Sequence, residues 1–259
     1  MRLLRLAVGG ALSEGRPVLF MYHSFQATRE RVFNVHPREF AKQMEALAFA
    51  GRPVEGLAAT LRSRPEGRPG CGITIDDGYE CILGVIPTLE RFGLRATLYV
   101  CPELLGTTSA HGLRRLDEGQ LRQVAASPAI EIGSHTSTHP RLTTLGPEAV
   151  RREVAGSKAI LEDVLSREVT HFAYPYGLWS ESVRAEVVEA GYTSAVTVHP
   201  GSLRDGDDAH ALPRVWVHRE MRLSEFRAAL TRGGDLLLRT RYGRARPRRS
   251  RAVPVGVPG

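Results

Sequence analysis

Two adjacent carboxylates in Thr74-Ile75-Asp76-Asp77-Gly78 and two imidazoles in Ser134-His135-Thr136-Ser137-Thr138-His139 supply most of what a hydrolytic metal site needs. One carboxylate can ligate a cation while its neighbour stays free to take a proton from water. Histidines at i and i+4 point the same way if the segment between them makes a helical turn. Each pair is a weak signal alone. Together, each directly after an apolar run, they reinforce one another.

The plainer reading of a strand-terminal Asp is a helix cap, and Asp76 or Asp77 could cap a helix over 79–92. Two consecutive aspartates resist that reading, because like charges side by side repel unless a cation relieves them. His135 and His139 are flanked by Ser and Thr, residue types suited to orienting ligating imidazoles. His23, in Tyr22-His23-Ser24, is ambiguous, since a strand-end His often does no more than bond a carbonyl. His36, His111, His199, His210 and His218 lack such context and read as structural or exposed. Pro175-Tyr176-Gly177 on its own reads as a turn. Trp179 and Trp216 could stack on sugar rings or fill the barrel, and core packing is the better assignment for Trp216.

These residues converge only if the fold gathers strand ends. Apolar runs at 18–22, 72–75, 96–101, 129–133, 169–174, 194–198 and 214–217 predict strands buried on both faces. Helical patterns at 37–50, 79–92, 117–126, 147–165, 181–190 and 223–230 lie between them. Such alternation implies parallel pairing, and seven strands fit a closed or nearly closed barrel. A doubly wound open sheet satisfies the same pattern. In either fold, functional groups collect at the carboxyl ends of the strands. His23, Asp76, Asp77, His135 and Tyr176 all fall there.

The 259 residues, 42% of them hydrophobic, suit one large α/β domain. The net charge of +7 comes from the tail, because residues 239–259 hold seven Arg and no acidic residue. The body is therefore neutral, and the charge is no argument for specific nucleic-acid binding. The tail is rich in Arg, Pro and Gly and reads as disordered. A solvated tail without a partner is one reading. Peripheral contact with anionic membrane lipid is the other. Residues 1–16 read as an amphipathic lead-in, with Arg5 interrupting too short an apolar run for a signal peptide. Three cysteines without metal-type spacing mildly favour a reducing compartment, hence a cytoplasmic chain, membrane-associated if the tail binds lipid.

In order and spacing, residues 74–78, 135–139 and 172–177 resemble the signature motifs of the polysaccharide deacetylases, carbohydrate esterase family four with its nodulation-deacetylase homology domain. The resemblance runs over about residues 17 to 231 and includes 18–23, 33–51, 131–135 and 211–215. Met21-Tyr22-His23-Ser24 is most similar to the branch that deacetylates biofilm poly-N-acetylglucosamine and related exopolysaccharides, in which part of the active site has moved to the N-terminal end of the chain. The resemblance implies a distorted (β/α)7 barrel like a TIM barrel, with the catalytic domain over 17–238. It implies that Asp77, His135 and His139 hold a divalent metal. Two imidazoles and a carboxylate with an open position suit zinc, while cobalt, nickel and iron also fit. Asp76 would be the general base, the Tyr176 backbone N–H an oxyanion donor, and Arg214 the partner that tunes the base. No Leu-x-His follows His218, so the general acid falls to His23, as the branch implies. The family's Asp-rich fourth motif is not recognisable here.

The activity so implied is removal of N-acetyl groups from a hexosamine-containing glycan. Cleavage of another non-peptide amide or an O-acetyl ester, and a non-catalytic glycan-binding module, are the alternatives. The iron-oxygenase triad of two His and one carboxylate usually sits on an antiparallel double sheet, against the pattern here.

Overall fold

The computed structural model describes residues 16–28, 31–62 and 70–231. The expected lead-in helix and the Arg-rich tail lie outside the described residues. Eight strands run in chain order: β1 Val18–Tyr22, β2 Val54–Glu55, β3 Cys71–Ile75, β4 Ala96–Val100, β5 Ile130–Ser134, β6 His171–Ala173, β7 Ser194–Pro200 and β8 Leu212–Trp216. Every pairing between them is parallel. β1 pairs with β3 on one side and β8 on the other, and that closes seven strands into a ring. The open-sheet alternative is thereby excluded. The short β2 pairs with the first two residues of β3, a supplement to the ring that its length hid from the sequence pattern.

Side chains alternate across a strand, so each strand feeds two cores. Val18, Phe20, Tyr22, Ile73, Leu98, Ile132 and Phe172 face the helices in the larger one. Leu19, Tyr99, Ala173, Val196 and Leu212 form a smaller one inside the barrel. Arg214, expected at a strand start, instead sits mid-strand in β8, two residues on from Leu212 and so on the same inner face.

The crossovers are helical. α1 spans Pro37–Ala48, with His36 accepting the Arg38 N–H at its start and Phe40, Met44 and Leu47 buried on one stripe. α2 is a short helix at Leu57–Arg62. The single helix expected over 79–92 is a 3-10 turn at Glu80–Gly84 followed by α3, Ile86–Phe92. Pro87 explains the break, since its ring displaces a carbonyl of the preceding turn and it has no N–H to give. α4, Glu118–Ala126, opens on a reciprocal cap between Asp117 and Gln120. The helix expected over 147–165 is α5 Pro147–Arg151 and α6 Ser157–Leu165, joined by a π-helical turn at Arg152–Gly156. α7 Glu181–Glu189 and α8 Leu223–Ala229 complete the set.

Candidate active site and metal centre

The parallel ladder carries Asp76 one step beyond β3, with its N–H on the Tyr22 carbonyl at 2.9 Å. The chain then reverses, for Asp77 and Gly78 both take positive φ, 72° and 61°. For Asp77 this is a strained conformation, of order 1–3 kcal/mol, of the kind that persists at functional sites. The reversal sends the two carboxylates to different surroundings. Neither caps a helix, because the residue flanking the start of the 3-10 turn Glu80–Gly84 is Tyr79, and no side chain caps it.

Asp76 is buried against Arg214. The guanidinium grips it with two bonds, Nη1 to Oδ1 and Nη2 to Oδ2, both 2.7 Å. Arg214 is itself fixed, donating Nε–H to the Thr197 carbonyl at 2.8 Å and Nη1–H to Thr74 Oγ1 at 3.0 Å. Burial alone would raise the Asp76 pKa, but the charge and hydrogen bonds of Arg214 outweigh it and hold the carboxyl well below the usual range.

Asp77 faces the histidine pair. Its Oδ1 lies 3.6 Å from His135 Nε2 and 3.4 Å from His139 Nε2. One ligand atom from each of the three lies within 4.8 Å of the others, a grouping of metal-site dimensions. His135 Nδ1 lies 2.7 Å from the Ala173 carbonyl, so that nitrogen carries the hydrogen and Nε2 presents a lone pair to the site. Burial, then the neighbouring His135, push the His139 pKa down to about 4 despite the opposing charge of Asp77. Both rings are therefore suited to ligation. The two histidines do not converge through a helical turn, as their spacing invited. The segment after β5 is irregular, with positive φ at Thr136 (66°) and His139 (61°), and the His139 N–H bonds Thr136 Oγ1 at 3.0 Å.

His23 lies at the end of β1 with Nε2 4.0 Å from Asp76 Oδ2. Tyr176 follows β6 in a turn closed by bonds from Gly177 N–H to Tyr174 O and Leu178 N–H to Pro175 O. Its φ is 59°, and its half-exposed ring meets His139 edge-on at 4.8 Å between centroids. Six of the seven site residues expected from the sequence thus gather at the carboxyl rim of the barrel, and the mid-strand Arg214 reaches them through its bonds to Asp76. Trp216 ends β8, and Trp179 stacks on Tyr174 at 6.3 Å, packed against the main core.

Three features escaped the sequence pattern. Phe33 packs between His23 and His111, at 5.9 and 5.4 Å, in a loop clasped by the buried Asn34. Arg141 lies over the Tyr176 ring at 4.6 Å. At the other end of the barrel, Glu131 Oε2 accepts from Thr97 Oγ1 (2.7 Å) and Leu57 N–H (2.9 Å), and Oε1 lies 3.6 Å from His171 Nε2. The first two arise from loops and left no periodic signal. Glu131 did leave one: a carboxylate between Ile130 and Ile132 marks the inner face of its strand.

The barrel and its rim define a class that the comparisons name. The polysaccharide deacetylase family model matches residues 63–195. YxkH of Bacillus subtilis, assigned to the polysaccharide deacetylases, is 30% identical over 217 residues, 82% of this chain and 75% of that protein. A chitooligosaccharide deacetylase of Sinorhizobium fredii is 30% identical over 137 residues, 51% of this chain and 59% of that protein, so the match spans about three-fifths of it. Among solved structures, a polysaccharide deacetylase from Bacillus cereus superposes with a TM-score of 0.74 at 22% identity, covering 84% of this chain and 70% of that one. The chain belongs to the polysaccharide deacetylase family and is a hydrolase of that class.

Proposed function

We propose that this protein removes N-acetyl groups from a hexosamine-containing glycan, with Asp77, His135 and His139 holding a divalent cation. The observation that carries the reading is the three-residue grouping within 4.8 Å, with a second carboxylate on the adjacent residue. The donor set fits zinc, and the fixed tautomer of His135 supports it. Held by these three side chains, a divalent cation would supply Lewis acidity for the acetamide carbonyl and for a water. Asp76 accepts a proton from the attacking water as the water oxygen bonds the carbonyl carbon, while Arg214 keeps the carboxylate in place. The Tyr176 N–H donates to the carbonyl oxygen as it gains negative charge. His23 protonates the departing nitrogen, the C–N bond breaks, and acetate and the glycan amine result. His23 is the acid that the resemblance to the biofilm branch implies.

A second division of labour draws support from the Asp76–Arg214 pair. Both carboxylate oxygens are engaged and the pKa is depressed, which makes Asp76 a weak base. In that version His23 takes the water proton and delivers it to the amine, and Asp76 orients the imidazole. Both versions share one test. Acetate release from N-acetylglucosamine oligomers should require added zinc or cobalt, stop with chelator, and be lost in Asp77→Ala together with metal binding. Metal-independent release, or none across a panel of acetylated glycans, would overturn the reading.

A further inference from the structure

The segment 135–139 has no regular structure, yet it must hold two ligands in register. Its peptide groups therefore need partners from elsewhere. His135 N–H bonds the Val100 carbonyl at 2.9 Å, and the Ser137 carbonyl takes the Glu103 N–H at 3.3 Å. The His135 carbonyl takes the Cys101 thiol at 3.0 Å. The His139 N–H bonds Thr136 Oγ1 within the segment at 3.0 Å, and three further bonds converge on one residue outside it. The Glu153 carbonyl accepts the Ser137 N–H at 3.2 Å. Its carboxylate accepts the Thr138 N–H on Oε2 at 2.9 Å and the Thr138 hydroxyl on Oε1 at 2.6 Å.

Glu153 can do this because of where it stands. It lies in the π-helical turn Arg152–Gly156 between α5 and α6. A π turn widens the helix and disrupts the regular i→i+4 ladder, so a main-chain carbonyl becomes available to an outside donor. In this chain that donor is the Ser137 N–H. One residue thus clamps two consecutive peptide groups directly before His139, whose own φ of 61° is a conformation the chain resists.

From this geometry we infer that Glu153 is a positioning residue for the metal centre: through Ser137 and Thr138 it holds His139 in the ligating orientation, and the π turn exists in this helix to present it. The inference rests on the metal reading above. It assigns to Glu153 no contact with substrate or cation.

The test is a titration of the full-length, metal-free protein with Co2+ or Zn2+ against a chromophoric competitor, alongside the visible spectrum of the cobalt form. Glu153→Ala should weaken metal affinity by about 10- to 100-fold, the range for removing an outer partner of a ligand, and alter the cobalt spectrum. Glu153→Gln should restore most of the affinity, because its carbonyl accepts the Thr138 N–H and its amide can donate to the hydroxyl. Thr138→Val should weaken binding in the wild type but add little in the Glu153→Ala background. Wild-type affinity and spectrum in Glu153→Ala would overturn the inference. So would additive losses in the double variant, or a lower melting temperature of the metal-free protein with affinity unchanged. If the wild type itself titrates like Asp77→Ala, it is the metal reading that fails.

Discussion

Asp76 and Arg214 form an ion pair almost wholly out of water, with side chains 3% and 0% exposed. Removing one member of such a pair leaves the other charge buried and uncompensated, which costs about 3–5 kcal/mol. Arg214→Met should therefore lower stability by about that amount in urea unfolding at pH 7. Adding Asp76→Asn should recover part of it, because no charge is then left to bury. If single and double variants were equally unstable, packing rather than charge would account for the loss. The same corner separates the two proton schemes. If His23 is only the acid, His23→Ala should slow amide cleavage by about 10²–10⁴. An activated ester, whose leaving group needs no proton, should be nearly unaffected. If His23 also takes the water proton, both substrates should slow together. Asp76→Asn should keep the metal, and full amide turnover in that variant would remove Asp76 from either scheme.

At the scale of elements, the turn after β6 depends on Gly177. Its φ is 66°, and a Cβ there would lie 2.4 Å from Val198 Cγ2 and 2.6 Å from the Val198 nitrogen, which is backbone. Gly177→Ala should cost about 2–4 kcal/mol from backbone strain and overpacking combined. It should also reduce turnover by shifting the Tyr176 N–H. Circular-dichroism melting with kinetics on the same sample checks both, and a wild-type melting temperature would refute it. Strands were the elements most legible in the sequence, since buried parallel strands read as short apolar runs bounded by polar residues. Apart from α2 at Leu57–Arg62, which the sequence reading did not foresee, the helices were legible in place but not always in kind. Pro87 was a visible reason to divide 79–92, whereas the π turn at Arg152–Gly156 satisfies a loop that is distant in sequence and so left no local mark. The spacing of His135 and His139 suggested a helical turn. The structure instead reaches convergence with two residues at positive φ and bonds to Glu153, Glu103 and Cys101.

Across the whole molecule, the motifs could be read because each sits within a few residues of one strand end. Contacts that cross the barrel left no such local mark, and the family resemblance alone paired Arg214 with Asp76. Asp76 and Arg214 are 138 residues apart, and only ring closure brings them together. The inner face repeats this logic at the opposite end, where Glu131 of β5 meets His171 of β6, Thr97 of β4 and the start of α2. Burial raises the Glu131 pKa, but the adjacent His171 and the bonds from Thr97 and Leu57 N–H more than offset it, and the carboxyl is held at about 2 against 4.5 when free. A carboxylate depressed in the folded state contributes stability above its unfolded pKa and loses it as the pH falls towards the folded value. Glu131 should thus contribute about 3 kcal/mol at neutral pH, lost between about pH 4.5 and pH 2. Asp76 acts in the same direction from below pH 4. Glu131→Gln keeps an acceptor for Thr97 and Leu57 but has no proton to gain. Its stability deficit against the wild type, followed by urea unfolding from pH 7 downward, should therefore shrink across that window by about 3 kcal/mol. A deficit that stays constant with pH would mean that the barrel's closed end is held by packing, with the Glu131 charge making no net contribution.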